Sequence, residues 1–94
     1  MAILKHPGWP AVTVSVRFFA GAQAAAGTPE ASVTLPAPAT LARLTEELVH
    51  QHGPGLARVL AAASFIVDEV ATTDPGRALD DGARVDVLPP FAGG

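Results

Sequence analysis

Val12, Val14, Val16 and Phe18 alternate with Thr13, Ser15, Arg17 and Phe19. Successive side chains of a strand point to opposite faces, so this run lays an apolar row on one side and a mostly polar row on the other. A helix cannot use the spacing, because a period of two scatters apolar groups around its circumference. The β-branched and aromatic residue types also favour a strand. Ala31, Val33 and Leu35 repeat the alternation after a turn at Thr28-Pro29, and Pro36 and Pro38 end it. The chain therefore predicts two paired, half-buried strands whose apolar face needs a cover.

The cover is predicted from the next segment. Thr40 can cap a helix through its hydroxyl. Leu41, Leu44, Leu48 and His52 follow at helical spacing, with Thr45 and Val49 beside them. Gly53-Pro54-Gly55 reads as the stop. A shorter helical stretch places Leu56, Val59, Leu60 and Ala63 on one face. Between the first two strands, the alanine-rich Ala20 to Gly27 reads as a short helical turn closed by Gly27. Phe65-Ile66-Val67 reads as a third strand, Asp68-Glu69 as a polar break and Val70 as the start of a short return strand. Asp74-Pro75-Gly76 is a turn, and Leu79 stands as an isolated apolar anchor. Asp80-Asp81-Gly82 is a turn in which glycine tolerates positive φ. Arg84 to Leu88 forms the last strand, with Val85 and Val87 on one face. Pro89-Pro90 must end its ladder, because proline has no N–H to donate. Strands packed on one main helix make an α+β domain.

The 94 residues suit one domain with a modest core. A hydrophobic share of 49% supports a packed globule. The predicted division is an N-terminal arm over 1–11, a folded domain over 12–88 and a tail over 89–94. The arm holds the lone Trp9. With no cysteine there is no disulfide, no thiol nucleophile and no thiolate metal site, which fits a reducing compartment. The net charge is −3, and the six basic residues are scattered, which argues against nucleic acid as a partner. Mild acidity suits a basic protein partner instead. Arg17 interrupts the apolar stretch from Val12 to Gly27, against an export signal. No charge-free run reaches the roughly 18 apolar residues of a membrane helix. The expected location is cytoplasmic, with no membrane contact.

Few side chains suggest chemistry of their own. His50 and His52 lie about 200° apart on a helix and cannot grip one metal; His6 sits in the arm. Glu46-Glu47 and Asp80-Asp81 read as a solvated helix face and a turn. Ser15, Ser32 and Ser64 lack any triad context. No phosphate-binding loop of the Gly-x-x-x-x-Gly-Lys type occurs, so any ATP in the reaction belongs to a partner.

Three stretches resemble the MoaD/ThiS family of sulfur carriers. Val16-Arg17-Phe18-Phe19-Ala20 with Gly27 is similar to the family's opening strand and exit. Leu79-Asp80-Asp81-Gly82-Ala83-Arg84-Val85 is similar to its approach to the last strand, and Leu88-Pro89-Pro90-Phe91-Ala92-Gly93-Gly94 to its ending. The resemblance runs from Val12 to Gly94. The Phe-Phe-Ala exit and the double proline favour the molybdopterin synthase small subunit over the thiamin-pathway carrier. Two departures stand out. Gly21-Ala22-Gln23-Ala24 lacks the arginine that many relatives carry, and Asp68-Glu69 replaces a common Asn in the hairpin turn.

The resemblance implies the β-grasp fold of ubiquitin, a mixed sheet packed on one main helix with a flexible Gly-Gly tail. It also implies a chemistry. A partner adenylyltransferase resembling ubiquitin-activating enzymes uses ATP and magnesium to adenylate Gly94. A sulfur donor protein displaces AMP to leave a thiocarboxylate. The molybdopterin synthase large subunit then receives the sulfur. The chain itself is expected to bind no cofactor or metal and to have no activity alone. The expected reacting end is Gly94 with Gly93 beside it; Pro90, Phe91, Ala92, Phe19 and Leu88 are the expected partner contacts. Arg17 and Arg84 read as a solvated strand face.

The residue types suit that task. A terminal carboxyl, with a pKa of about 3.3–3.7, is ionised at neutral pH and is a poor electrophile until activated. Glycines without Cβ let channel walls approach the backbone. Pro89-Pro90 favours an extended exit, and residues 89–94 can reach about 20 Å. Three alternatives remain open: a carrier for thiamin or another sulfur-containing metabolite, a protein modifier that forms an isopeptide bond through Gly94, and an interaction domain with an inert tail.

Overall fold

The first alternating run is strand β1, Ala11–Phe18, in the computed structural model, which describes residues 10–90. Val12, Val14, Val16 and Phe18 are buried, while Thr13, Ser15 and Arg17 are exposed. Helix α1, Gly21–Ala26, follows and ends at Gly27, whose φ of 79° is left-handed and whose N–H donates to the Gln23 carbonyl. Strand β2, Glu30–Pro36, then returns antiparallel to β1, with Val14 opposite Val33.

A two-residue strand β3, Ala39–Thr40, leads into the main helix α2, Leu41–His52. The Thr40 hydroxyl accepts the Arg43 N–H at 3.3 Å, as the capping reading requires. Leu41, Leu44 and Leu48 are buried along one stripe. The sequence reads Gly53-Pro54-Gly55 only as a stop; in the structure it is also a start. Helix α3, Pro54–Ala62, begins on Pro54. Proline suits a first turn, where its missing N–H has no intrahelical partner to lose.

Strands β4, Ser64–Val67, and β5, Val70–Thr72, form a hairpin. Its turn residues Asp68 and Glu69 both have positive φ, 47° and 73°. Such a turn twists in the sense that paired strands need. Leu79 is not isolated as the sequence suggests. It belongs to strand β6, Ala78–Leu79, which pairs with β3 through Ala39. The last strand is β7, Arg84–Leu88, entered through Gly82 at φ 85°.

Five of the seven strands form one sheet in the order β2-β1-β7-β4-β5, and β3 and β6 form a second. β7 runs parallel to β1 and antiparallel to β4, so the sheet is mixed. The helices cover one face, and Val14, Val16, Phe18, Leu44, Leu48 and Leu56 meet in the core between them. Among the described residues no polar or charged side chain is buried. This is the β-grasp architecture: a mixed sheet folded over a principal helix.

Candidate functional site at the tail exit

β7 is bonded on both sides, to β1 and to β4, until it ends. Phe18 lies opposite Val87, Leu88 lies opposite Ser64, and the Phe19 N–H donates to the Val87 carbonyl at 3.2 Å. Parallel pairing brings the C-terminal ends of β1 and β7 to the same edge. Phe19 and Leu88 are therefore next to each other in strand register, where the chain leaves the sheet. Phe19 is 36% exposed, Leu88 is half-buried, Pro89 is buried and Pro90 is exposed. Of the expected contacts, Phe19, Leu88 and Pro90 are gathered at this exit. Phe91, Ala92, Gly93 and Gly94 lie outside the described residues, as does the arm up to Trp9.

The sheet face turned away from the helices carries a row of cross-strand partners, Glu30, Arg17, Asp86 and Ile66. Arg17 is more than a solvated side chain. Its Nε donates to Asp86 Oδ1 at 2.9 Å and its Nη2 to Asp86 Oδ2 at 3.0 Å. This bidentate hydrogen bonding, followed by the charge of Asp86, holds the Arg17 pKa above its ordinary value, while desolvation works the other way. The guanidinium also stands 5.4 Å from the centroid of the Phe19 ring. Asp86 is the residue that reading the sequence missed. Its place on the polar phase of the last strand was visible, but its partner depends on the pairing of two strands far apart in the chain.

Two shallow depressions, of about 490 and 240 Å³, flank this pair, and Arg17, Arg84 and Asp86 line both. Asp68 accepts the Arg84 backbone N–H at 2.9 Å and so ties the hairpin turn to the start of β7. Asp81, in the turn before β7, accepts the Thr13 N–H at 2.8 Å. Glu46 pairs with Arg43 and Glu47 accepts from Gln51, so these carboxylates serve local structure. His50 is exposed. His52 places Nδ1 3.1 Å from the Ala26 carbonyl and packs edge-on against Phe18. Among the described residues no group of three or more His, Cys, Asp or Glu could hold a metal ion, and no helix is long and apolar enough to cross a membrane.

The end of β1 thus leads into the exposed Phe19, and the neighbouring end of β7 into Pro89-Pro90, so an exposed aromatic ring and the start of the C-terminal segment lie side by side. The ThiS family model matches residues 16–94. The chain belongs to the ThiS family. It is 26% identical to the HVO 2177 protein of Haloferax volcanii, over 89% of this chain and 88% of that one, with a TM-score of 0.76. It is 25% identical to a chain from the complex of subunits 1 and 2 of the molybdopterin-converting factor of Helicobacter pylori, over 88% and 100%, with a TM-score of 0.58. SAMP1 of Haloferax volcanii shares the fold at 24% identity, over 87% and 99%, with a TM-score of 0.76. A comparison with curated proteins finds no match.

Proposed function

We propose that this ThiS-family chain is a sulfur carrier whose C-terminal Gly94 is adenylated and then thiocarboxylated, and that it donates sulfur in molybdopterin biosynthesis. The observation that carries this reading is the family match running through Gly93 to Gly94, which lies six residues beyond the end of β7. The likeness to a chain of the Helicobacter pylori complex supports the pathway and a large-subunit partner.

In the first step a carboxylate oxygen of Gly94 attacks the α-phosphorus of ATP, held with magnesium by the adenylating enzyme, and pyrophosphate leaves. In the second, a sulfur nucleophile from a donor protein attacks the acyl carbon and AMP leaves. With a donor persulfide as the nucleophile the product is an acyl disulfide. A thiol then attacks the donor's own sulfur, the S–S bond breaks, the thiocarboxylate leaves with the electron pair, and the donor and the thiol are left joined as a disulfide. This chain supplies the acyl terminus and the docking surface. Phe19, Leu88 and Pro90, with Phe91 and Ala92 beyond them, are the contacts. Gly93 and Gly94 fit a narrow channel because they lack a Cβ. No described side chain needs to act as acid or base, since the leaving groups are made on the partner.

A second reading is a protein modifier, since the fold is shared with a chain named small archaeal modifier protein 1. It uses the same activated Gly94 but forms an isopeptide bond with a lysine. One experiment separates the readings: the intact mass of the untagged chain after incubation with an adenylating enzyme, ATP, magnesium and a sulfur source. The carrier gains the mass of one oxygen exchanged for sulfur, and deletion of Gly94 abolishes the gain. Lysine conjugates that survive thiol treatment support the modifier. An unchanged mass with enzymes that charge their own carriers overturns both.

A further inference from the structure

Arg17 belongs to the tail-exit face, yet the proposed carrier chemistry gives it no task. Its two bonds to Asp86 fix the plane of the guanidinium as well as its position. That guanidinium lies over the Phe19 ring, whose negative face attracts a cation. Asp86 therefore holds Arg17, and Arg17 holds Phe19. Phe19 is 36% exposed and lies outside the buried core cluster, so a surface neighbour can bear on its rotamer. Glu30, Asp68, Glu69 and Asp86 set four carboxylates against the guanidiniums of Arg17 and Arg84 around the two depressions. This excess of acid fits a protein surface that rims an apolar contact with basic side chains.

We propose that Arg17, anchored by Asp86, is a positioning residue that holds Phe19 in the orientation received by an apolar, basic-rimmed docking surface on the adenylating enzyme. The inference rests on the carrier reading. A side chain ordered before binding costs less to bind than one ordered at the interface. Arg17 touches no reacting atom, so its effect falls on the KM for the carrier. Once docked, the same tail enters the active site and kcat is unchanged.

The test is ATP–pyrophosphate exchange by the adenylating enzyme, with the full chain as substrate. The substrates are wild type, R17A, R17K, F19A and the double variant R17A/F19A. R17A is expected to raise KM about two- to five-fold at constant kcat, the range of an exposed cation–π contact. R17K keeps the charge but loses the fork, and its KM falls between wild type and R17A. In the F19A background R17A no longer raises KM, because its target is gone, and any residual effect is the small lowering expected from charge. A pure charge effect has the opposite sign: removing a cation from an acidic face strengthens the attraction to a basic partner and lowers KM. A KM that falls or stays constant in R17A, or an R17A effect of equal size in the F19A background, overturns the proposal. Thermal unfolding of R17K and R17A shows that both substrates are folded. Failure of the wild-type chain to support exchange overturns the carrier reading itself, and the two failures are thereby distinct.

Discussion

Gly82→Ala and Gly21→Ala make one chemical change in two backbone settings. Gly82 opens the approach to β7 at φ 85°, whereas Gly21 begins α1 without a positive φ. A Cβ added at either position meets no atom within 4 Å, so steric overlap does not enter. What differs is the backbone. An L-residue in the left-handed region costs about 1–2 kcal/mol. Removing glycine's freedom from the unfolded chain returns about 0.4–1 kcal/mol wherever the native backbone is compatible. Gly82→Ala should therefore lose about 1 kcal/mol net, and Gly21→Ala should gain about 0.4–1 kcal/mol. The gap corresponds to roughly 4–8 °C in Tm per kcal/mol for a domain of this size. The Gly82 N–H also donates to the Thr13 carbonyl at 2.8 Å, so strain there falls on the contact that seats β7 against β1. Urea unfolding followed by circular dichroism, with equal m values, measures both changes. Equal stabilities, or a Gly21→Ala chain weaker than Gly82→Ala, would refute the backbone explanation.

Leu48→Ala empties a site with no solvent exposure and should lower unfolding free energy by about 2.7–5 kcal/mol; a urea titration giving under about 1 kcal/mol would contradict the core assignment. Glu69→Gly relieves a non-glycine residue at φ 73° and should stabilise the domain by about 1 kcal/mol, read as a higher Tm. Asp68→Ala in the same turn should do the reverse, because the Arg84 N–H loses its acceptor at a cost of about 1 kcal/mol. His52→Ala removes the link to the Ala26 carbonyl and the edge contact with Phe18, and should cost about 1–2 kcal/mol in the same assay.

Much of the fold was legible because burial on one face leaves a periodic trace. The alternation from Val12 to Phe18 marks β1, and the spacing of Leu41, Leu44 and Leu48 marks α2. Strands β3 and β6 left no such trace. Two residues cannot display a period, and the pairing of Ala39 with Leu79 arises from how distant loops pack. Pro54 marks an end in the sequence because proline restricts the residue before it, and the same residue also opens a helix. The site was legible in part for a related reason. Phe19 and Leu88 could be singled out by residue type and by nearness to the tail. The bond between Arg17 and Asp86 could not, since alternation looks the same in parallel and antiparallel strands and only register decides which residues meet.

The parallel pairing of β1 with β7 also brings Phe19 and the start of the C-terminal segment to one end of the molecule, as the proposed carrier role requires. A parallel pair needs a crossover, and α2 and α3 lie within that connection. Had β7 run the other way beside β1, the tail would leave near Ala11. The eight-residue strand would then separate it from Phe19 by about 25 Å at roughly 3.3 Å per residue. As built, Phe19 and Leu88 lie on neighbouring strands at the point of exit. Extended chain limits the reach of residues 89–94 to about 20 Å from there. A partner that grips Phe19 and Leu88 thus confines the terminus to a small volume beside its own active site, at an effective concentration in the millimolar range or above. Under the proposed carrier reading, a weak apolar contact would then be enough to supply an enzyme with the acyl terminus, and would still release the chain for the next partner.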